Sequence, residues 1–271
     1  MDPEELERRL ARFRAGPGSA GVLTDFDGTL APIVVDPGAS RPLPEVVDLL
    51  HRLAGRYRTV AVISGRPAAF LVHHLELAER RGGHARPGDG LLAVGLYGLE
   101  RADGAEVITD PRVLEWVAVV DEVADLAERQ APPGLIVERK GFSLTLHYRT
   151  APEAAGWAGG WAAAQAARTG LLLHPARMSE ELRPPLPVDK GTVVADLAAA
   201  LDAACFVGDD IGDLPAFAAL DAVARARPAT VTLKVAVASA EAPPELLAAA
   251  DLVVDGPRGV AGLLGRLLGP D

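Results

Sequence analysis

Asparagine is absent from all 271 residues, so the chain offers no N-glycosylation acceptor. The single cysteine, Cys205, cannot close an intrachain disulfide, and its place in the apolar run Ala204-Cys205-Phe206-Val207 reads as an inert core thiol in a cytoplasmic protein. No run of about 18 uncharged apolar residues exists to cross a membrane. The most apolar stretch, 193–208, is broken by Asp196 and Asp202. The opening MDPEELERRL has neither the basic n-region nor the apolar h-region of a secretory signal. Positive charge is scarce, 27 Lys and Arg against 37 Asp and Glu for a formal net charge of −10, and no basic tract occurs. Nucleic acid and anionic membranes are therefore not expected partners, and any anionic ligand needs a local cluster of cations, backbone N–H groups or metal. Histidines 51, 73, 74, 84 and 174 show no metal-ligand spacing and read as structural or solvated. Nothing here fixes an oligomeric state, and a monomer is the expectation.

What is present is a globular composition, 49% apolar and 24% charged, with 28 glycines and 22 prolines, in a chain long enough for one large domain or two moderate ones. Residues 2–15 have helical spacing in Leu6, Leu10 and Phe13 and read as a surface helix. Gly16-Pro17-Gly18-Ser19-Ala20-Gly21 matches G-x-G-x-x-G but precedes a strand instead of following one, which makes it a linker. The apolar run 20–23, the helical pattern 45–53 and the β-branched run Thr59–Ile63 then form strand, helix, strand, the βαβ unit of a parallel sheet. A flexible loop at 81–90 and, over 91–100, a buried strand with its turn follow. The pattern then changes. Helices over 112–130 and 154–168, a hairpin over 135–149 around Lys140-Gly141, and a strand at 171–173 read as an α+β unit inserted into the first. The parallel pattern returns after Pro187 with a helix opened by Lys190-Gly191, the strand 204–207, the turn Gly208-Asp209-Asp210-Ile211-Gly212-Asp213, a helix, a strand at 252–254 and a last helix over 260–268.

The stretch that carries chemistry is Leu23-Thr24-Asp25-Phe26-Asp27-Gly28-Thr29-Leu30. A strand that brings two carboxylates to its C-terminal tip and breaks at a glycine presents anions where open α/β sheets keep their ligands. At i and i+2 Asp25 and Asp27 would share one side while Phe26 turns into apolar packing. Two such charges call for a cation, and hard oxygen ligands without histidine or thiol favour Mg²⁺. Ser64, in Ile63-Ser64-Gly65-Arg66-Pro67, falls at the tip of the next strand, and Lys190 and Asp209-Asp210-x-x-Asp213 stand at later helix starts and strand tips. Singly, each has an ordinary reading as a cap, a solvated lysine or an acidic turn. Jointly, on consecutive βα units, they point to one site.

This pattern resembles the haloacid dehalogenase-like phosphohydrolases and, nearly end to end, the trehalose-6-phosphate phosphatases among them. LTDFDGTLAP (23–32), ISGRP (63–67), Gly98-Leu99-Glu100, VERKGFSLTLHYR (137–149), ELRPPLPVDKG (181–191) and VGDDIGDLPAF (207–217) carry the resemblance. It implies an α/β fold: a Rossmann-like parallel-sheet core domain, residues 1–102 and 182–271, with an inserted α+β (C2-type) cap domain, 103–181. It implies hydrolysis of trehalose 6-phosphate with Mg²⁺. Asp25 would be the nucleophile forming an aspartyl-phosphate, and Asp27 the acid and then the base. Ser64 and Lys190 would hold the transferring oxygens. The metal would rest on Asp25, the Asp27 carbonyl and Asp209, with Asp210 and Asp213 orienting its waters and Lys190. Arg66 is grouped with the substrate-binding residues, and Glu138, Lys140, His147 and Arg149 on the hairpin, with Glu100 and Glu181 near the hinges, are candidates for a sugar's hydroxyls. Gly212 and Leu214 stand where many members carry Thr and Glu. Another phosphorylated sugar, a phosphosugar mutase, or a non-catalytic receiver or regulatory module are the competing readings; a degenerate module should have lost Asp25 or Asp27, and both are present.

Overall fold

A computed structural model describes residues 1–80 and 90–269. His84 and all of the expected 81–90 loop but Gly90 lie outside the described residues. The chain opens with α1 (Pro3–Ala15), β1 (Ala20–Thr24), α2 (Pro44–Ala54), β2 (Thr59–Ile63), α3 (Ala68–His74), β3 (Leu91–Gly95), β4 (Glu100–Asp103) and β5 (Val107–Thr109). It continues with α4 (Val117–Gln130), β6 (Ile136–Arg139), β7 (Leu144–His147), α5 (Ala155–Thr169), β8 (Leu172–Ala176) and β9 (Ser179–Arg183). It closes with α6 (Lys190–Ala198), β10 (Ala203–Gly208), α7 (Leu214–Ala226), β11 (Val231–Ala238), α8 (Pro244–Ala249), β12 (Leu252–Asp255) and α9 (Gly256–Leu268).

The fold is α/β. Two compact units divide it, one of Met1–Ile108 with Val188–Asp271, the other of Thr109–Pro187. The larger sheet runs β12-β11-β10-β1-β2-β3-β4-β5 and is parallel from β12 through β3, with β4 antiparallel to β3. Helices cover both faces, which is why its central strands read as unbroken apolar runs. Alternation sorts the side chains. Val22, Val60, Val62 and Cys205 join Leu6, Leu10 and Phe13 of α1, Leu50 of α2, Leu71 of α3 and Leu264 of α9 in one core. Leu23, Ala61, Ile63 and Phe206 join Val194 of α6, Phe217 of α7 and Leu246 of α8 in the other. β1 lies between β10 and β2, with Thr24 opposite Val207 and Val62, so the loops leaving these three strands emerge side by side.

The smaller unit holds an antiparallel sheet, β6-β7-β9-β8. Leu144, Leu146 and Leu182 point from it onto Val123 and Ala127 of α4 and Ala158 and Ala162 of α5. Period-two alternation leaves Glu138, Thr145 and Glu181 in one row across β6, β7 and β9 on the opposite face. All three tryptophans, Trp116, Trp157 and Trp161, belong to this unit and pack against its core.

The structure departs from the sequence reading in several places, β4 and β5 among them, for which the sequence reading has no strand. β1 ends at Thr24, so Asp25 and Asp27 follow the strand instead of riding on it, although the Asp25 N–H still donates to the Val207 carbonyl at 2.8 Å. The strand β11 fills a position between β10 and β12 to which the sequence reading gave no strand. β9, Ser-Glu-Glu-Leu-Arg, is a strand despite its charge, because only one of its faces meets the apolar core. No helix of the described residues is long and apolar enough to cross a membrane.

Candidate functional site

Asp25 begins the loop after β1, and Phe26 turns away from it into the core, fully buried and edge-on to Phe70 at 5.5 Å between ring centroids. Gly28 has φ +77, and a Cβ there would lie 2.0 Å from Oδ2 of Asp209. Both the left-handed backbone and the close carboxylate therefore require glycine at this position. The loop after β10 brings Asp209, and the N-terminus of α6 brings Lys190, whose helix is opened by Asp189 accepting the Thr192 N–H at 2.8 Å.

Lys190 Nζ lies 2.7 Å from Oδ1 of Asp25 and 2.7 Å from Oδ1 of Asp213. The second oxygen of Asp213 accepts the backbone N–H groups of Asp209 at 2.9 Å and Asp210 at 3.0 Å, so one carboxylate ties the lysine to the acidic turn. Asp210 accepts the Ile211 N–H at 2.6 Å, which closes the cap of that turn. Carboxylate oxygens of Asp25, Asp209 and Asp213, all buried, lie within 4.8 Å of one another. Burial drives Asp25 well above its ordinary range, and although Lys190 opposes this, Asp213 and Asp209 add to it. Burial alone would lower Lys190, but Asp213 and Asp25 more than offset that and hold its ammonium above the usual value. Within this group three carboxylates face one ammonium. An all-oxygen donor set with that charge imbalance fits a hard divalent cation.

Asp27 is held elsewhere. Arg66 grips it with Nε on Oδ2 at 2.7 Å and Nη2 on Oδ1 at 3.0 Å, and the Ser40 hydroxyl donates to Oδ1 at 2.7 Å. The Arg66 guanidinium also lies 4.8 Å from the centre of the Phe70 ring. Ser64, 2% exposed, accepts the Arg66 N–H on its own Oγ at 3.2 Å. Ser40, buried in the Pro/Gly-rich loop after β1, was invisible to sequence reasoning because no spacing links it to Asp27. Glu100 is in β4, and its Oε2 accepts the Ala68 N–H at 2.6 Å. Gly212 sits in open space, with no atom of the described residues beyond its chain neighbours within 4 Å of a Cβ placed there, while Leu214 packs against the core around Phe217.

The remaining candidates form a second constellation within the smaller unit. Lys140 Nζ lies 3.3 Å from Glu181 and 3.9 Å from Glu138, and His147 Nε2 lies 2.7 Å from Glu138 Oε2. Ser143, which the sequence reading did not single out, donates to Glu181 Oε1 at 2.8 Å. Glu181 is 1% exposed. Arg149 is half-buried just beyond β7.

The family model for trehalose-phosphatase matches residues 23–244. The chain belongs to the trehalose-phosphatase family. The chain is similar to the trehalose-phosphate phosphatase of Mycobacterium marinum, 32% identical over 210 residues, which cover 73% of this chain and 51% of that one. That of Mycolicibacterium paratuberculosis is 33% identical over 214 residues, again 73% and 51%. The chain thus spans about half the length of the curated relatives it matches. Among solved structures, the C-terminal domain of Candida albicans trehalose-6-phosphate phosphatase superposes with a TM-score of 0.76 at 23% identity, covering 97% of each chain. Aspergillus fumigatus trehalose-6-phosphate phosphatase does so with 0.62 at 26% identity, covering 99% and 97%.

Proposed function

We propose that the chain hydrolyses a sugar phosphate monoester, trehalose 6-phosphate, to trehalose and inorganic phosphate. The observation that carries this reading is Asp25 itself: a buried carboxylate at the tip of the central strand, 2.7 Å from Lys190 and grouped with Asp209 and Asp213, in a chain of the trehalose-phosphatase family. An Asp25 oxygen attacks phosphorus, the bond from phosphorus to the sugar oxygen breaks, and Asp27 gives that oxygen its proton. Asp27 then takes a proton from water as the water attacks phosphorus. The aspartyl oxygen leaves, phosphate is released, and both carboxyl groups return to their starting states.

Lys190 places a fixed positive charge beside the nucleophile, and Ser64 and the backbone around it donate to the phosphoryl oxygens. Asp213 holds Lys190 and the turn that carries Asp209. Arg66 and Ser40 keep Asp27 in one orientation. Asp25, Asp209 and the Asp27 carbonyl, with Asp210 and Asp213 around them, would hold Mg²⁺. That ion, when bound, neutralises charge developing on the transferring group. Choice of sugar falls to groups outside this pocket, and Glu138, Lys140, His147, Arg149 and Glu181 are assigned to the sugar hydroxyls.

Phosphate release across a panel of sugar phosphates, with Mg²⁺ and with a chelator, tests the reading. Mg²⁺-dependent turnover that favours trehalose 6-phosphate is expected. Equal or better turnover on sucrose 6-phosphate or mannose 6-phosphate would defeat the substrate assignment.

A further inference from the structure

The turn between β3 and β4 meets the loop after β2 at three successive points. The Tyr97 N–H donates to the Ser64 carbonyl and the Leu96 N–H to the Arg66 carbonyl, each at 2.9 Å, and the Glu100 carboxylate accepts the Ala68 N–H at 2.6 Å. Contact is backbone against backbone: a Cβ on Gly95 would lie 2.3 Å from the Ala68 nitrogen and 2.9 Å from the Arg66 carbonyl oxygen. Leu96 and Tyr97 take φ values of +47 and +60, a left-handed pair that side-chain-bearing residues rarely adopt and that persists only where the surroundings dictate it. Both strained residues donate to the same four-residue loop, 64–67, and that loop carries Ser64 and Arg66, the second of which grips Asp27 through two hydrogen bonds.

We propose that Glu100 is a positioning residue for the loop after β2 and not a ligand for the sugar: its carboxylate, acting on the first residue of α3, is the third clamp, beside the Leu96 and Tyr97 amides, that fixes where Ser64 and Arg66 stand. Ala68 is fully buried, so losing this acceptor would strand its N–H away from water. Displacement of the loop would move Ser64 and, through Arg66, Asp27. The inference rests on the phosphatase reading and changes one of its expectations, because Glu100 leaves the set of sugar contacts.

The test compares Glu100→Ala and Glu100→Gln with the wild type on trehalose 6-phosphate and on p-nitrophenyl phosphate, which offers a phosphoryl group but no sugar. A positioning role predicts that E100A lowers kcat/KM on both substrates by the same factor, between about tenfold and about 100-fold. It also predicts weaker inhibition by inorganic phosphate, and rescue by E100Q, whose amide oxygen still accepts the Ala68 N–H, to within about threefold of wild type on both substrates. Loss confined to trehalose 6-phosphate, or E100A indistinguishable from wild type, would overturn the proposal. Should E100A fail to fold, E100Q decides alone: parity on the two substrates supports the clamp and selective loss on the sugar phosphate overturns it. Wild-type protein that turned over neither substrate would overturn the phosphatase reading first, and this inference with it.

Discussion

Replacing Lys190 by methionine isolates the electrostatics of the site. The ammonium makes two contacts of 2.7 Å, to Asp25 and Asp213, and its side chain is 6% exposed against 7% and 0% for its partners. At an effective dielectric of about 20, each contact is worth about 6 kcal/mol of Coulomb attraction. Desolvation of three ions offsets much of that, and removing one partner of such a buried pair costs about 3–5 kcal/mol, because the carboxylates stay behind. Methionine keeps the stem packed, so the loss is electrostatic and not a cavity. The sign with pH follows from Asp25. Its folded pKa lies above the unfolded value, so its contribution is full below the unfolded value and is lost as pH rises through the folded one. Without the opposing lysine charge this loss grows, so the K190M deficit should be largest at neutral pH and shrink toward about pH 5. Guanidinium unfolding in chelator, followed by far-UV circular dichroism, measures it. Tryptophan fluorescence reports separately on Thr109–Pro187, which holds Trp116, Trp157 and Trp161. Added Mg²⁺ should restore part of the deficit. A loss below about 1 kcal/mol in chelator, the range of exposed ion pairs, would refute the reasoning.

Burial pushes the Cys205 thiol up to about 12, so the native protein should not react with a thiol reagent near pH 8 and should react with one equivalent once unfolded; prompt native reaction would contradict the buried placement of β10. Burial, with Arg41, His73 and Arg66 adding to it, lowers His74 to about 4. Its imidazole should titrate in NMR spectra near that value, and stability from this group should be full above about 6.5, the unfolded value, and fall as pH drops toward 4. A titration midpoint near about 6.5 would remove the effect.

The central strands of the parallel sheet were legible because they are buried on both faces: Val60 to Ile63 and Ala203–Gly208 are unbroken apolar runs that end at serine or glycine. β9 was not, since a strand with one face on the core and the other carrying Glu181 reads as a charged loop. β11, Val231–Ala238, was not, because its first half is only partly buried and carries Thr232 and Lys234, which breaks the apolar run that marks its neighbours. At the site, the residue types could be read in advance, because carboxylates and a serine stand directly after apolar runs and a lysine opens a helix. Their partners could not. Ser40 on Asp27, Ser143 on Glu181 and the Ala68 N–H on Glu100 are contacts fixed by tertiary packing, between positions that no helical or strand period relates. The pairing of Asp213 with both Lys190 and the amides of Asp209 and Asp210 lies between these cases. Its spacing marks an acidic turn, but only the fold brings Lys190 to it.

The most direct measurement is phosphate release by Asp25→Asn. Its side chain is nearly isosteric and still faces Lys190, so the fold should survive, as unchanged circular dichroism would show. Turnover of trehalose 6-phosphate should fall by at least about 10³-fold, because an amide cannot attack phosphorus. A folded D25N protein that keeps a tenth or so of wild-type turnover would contradict the account, since phosphorus would then be reached by some other nucleophile.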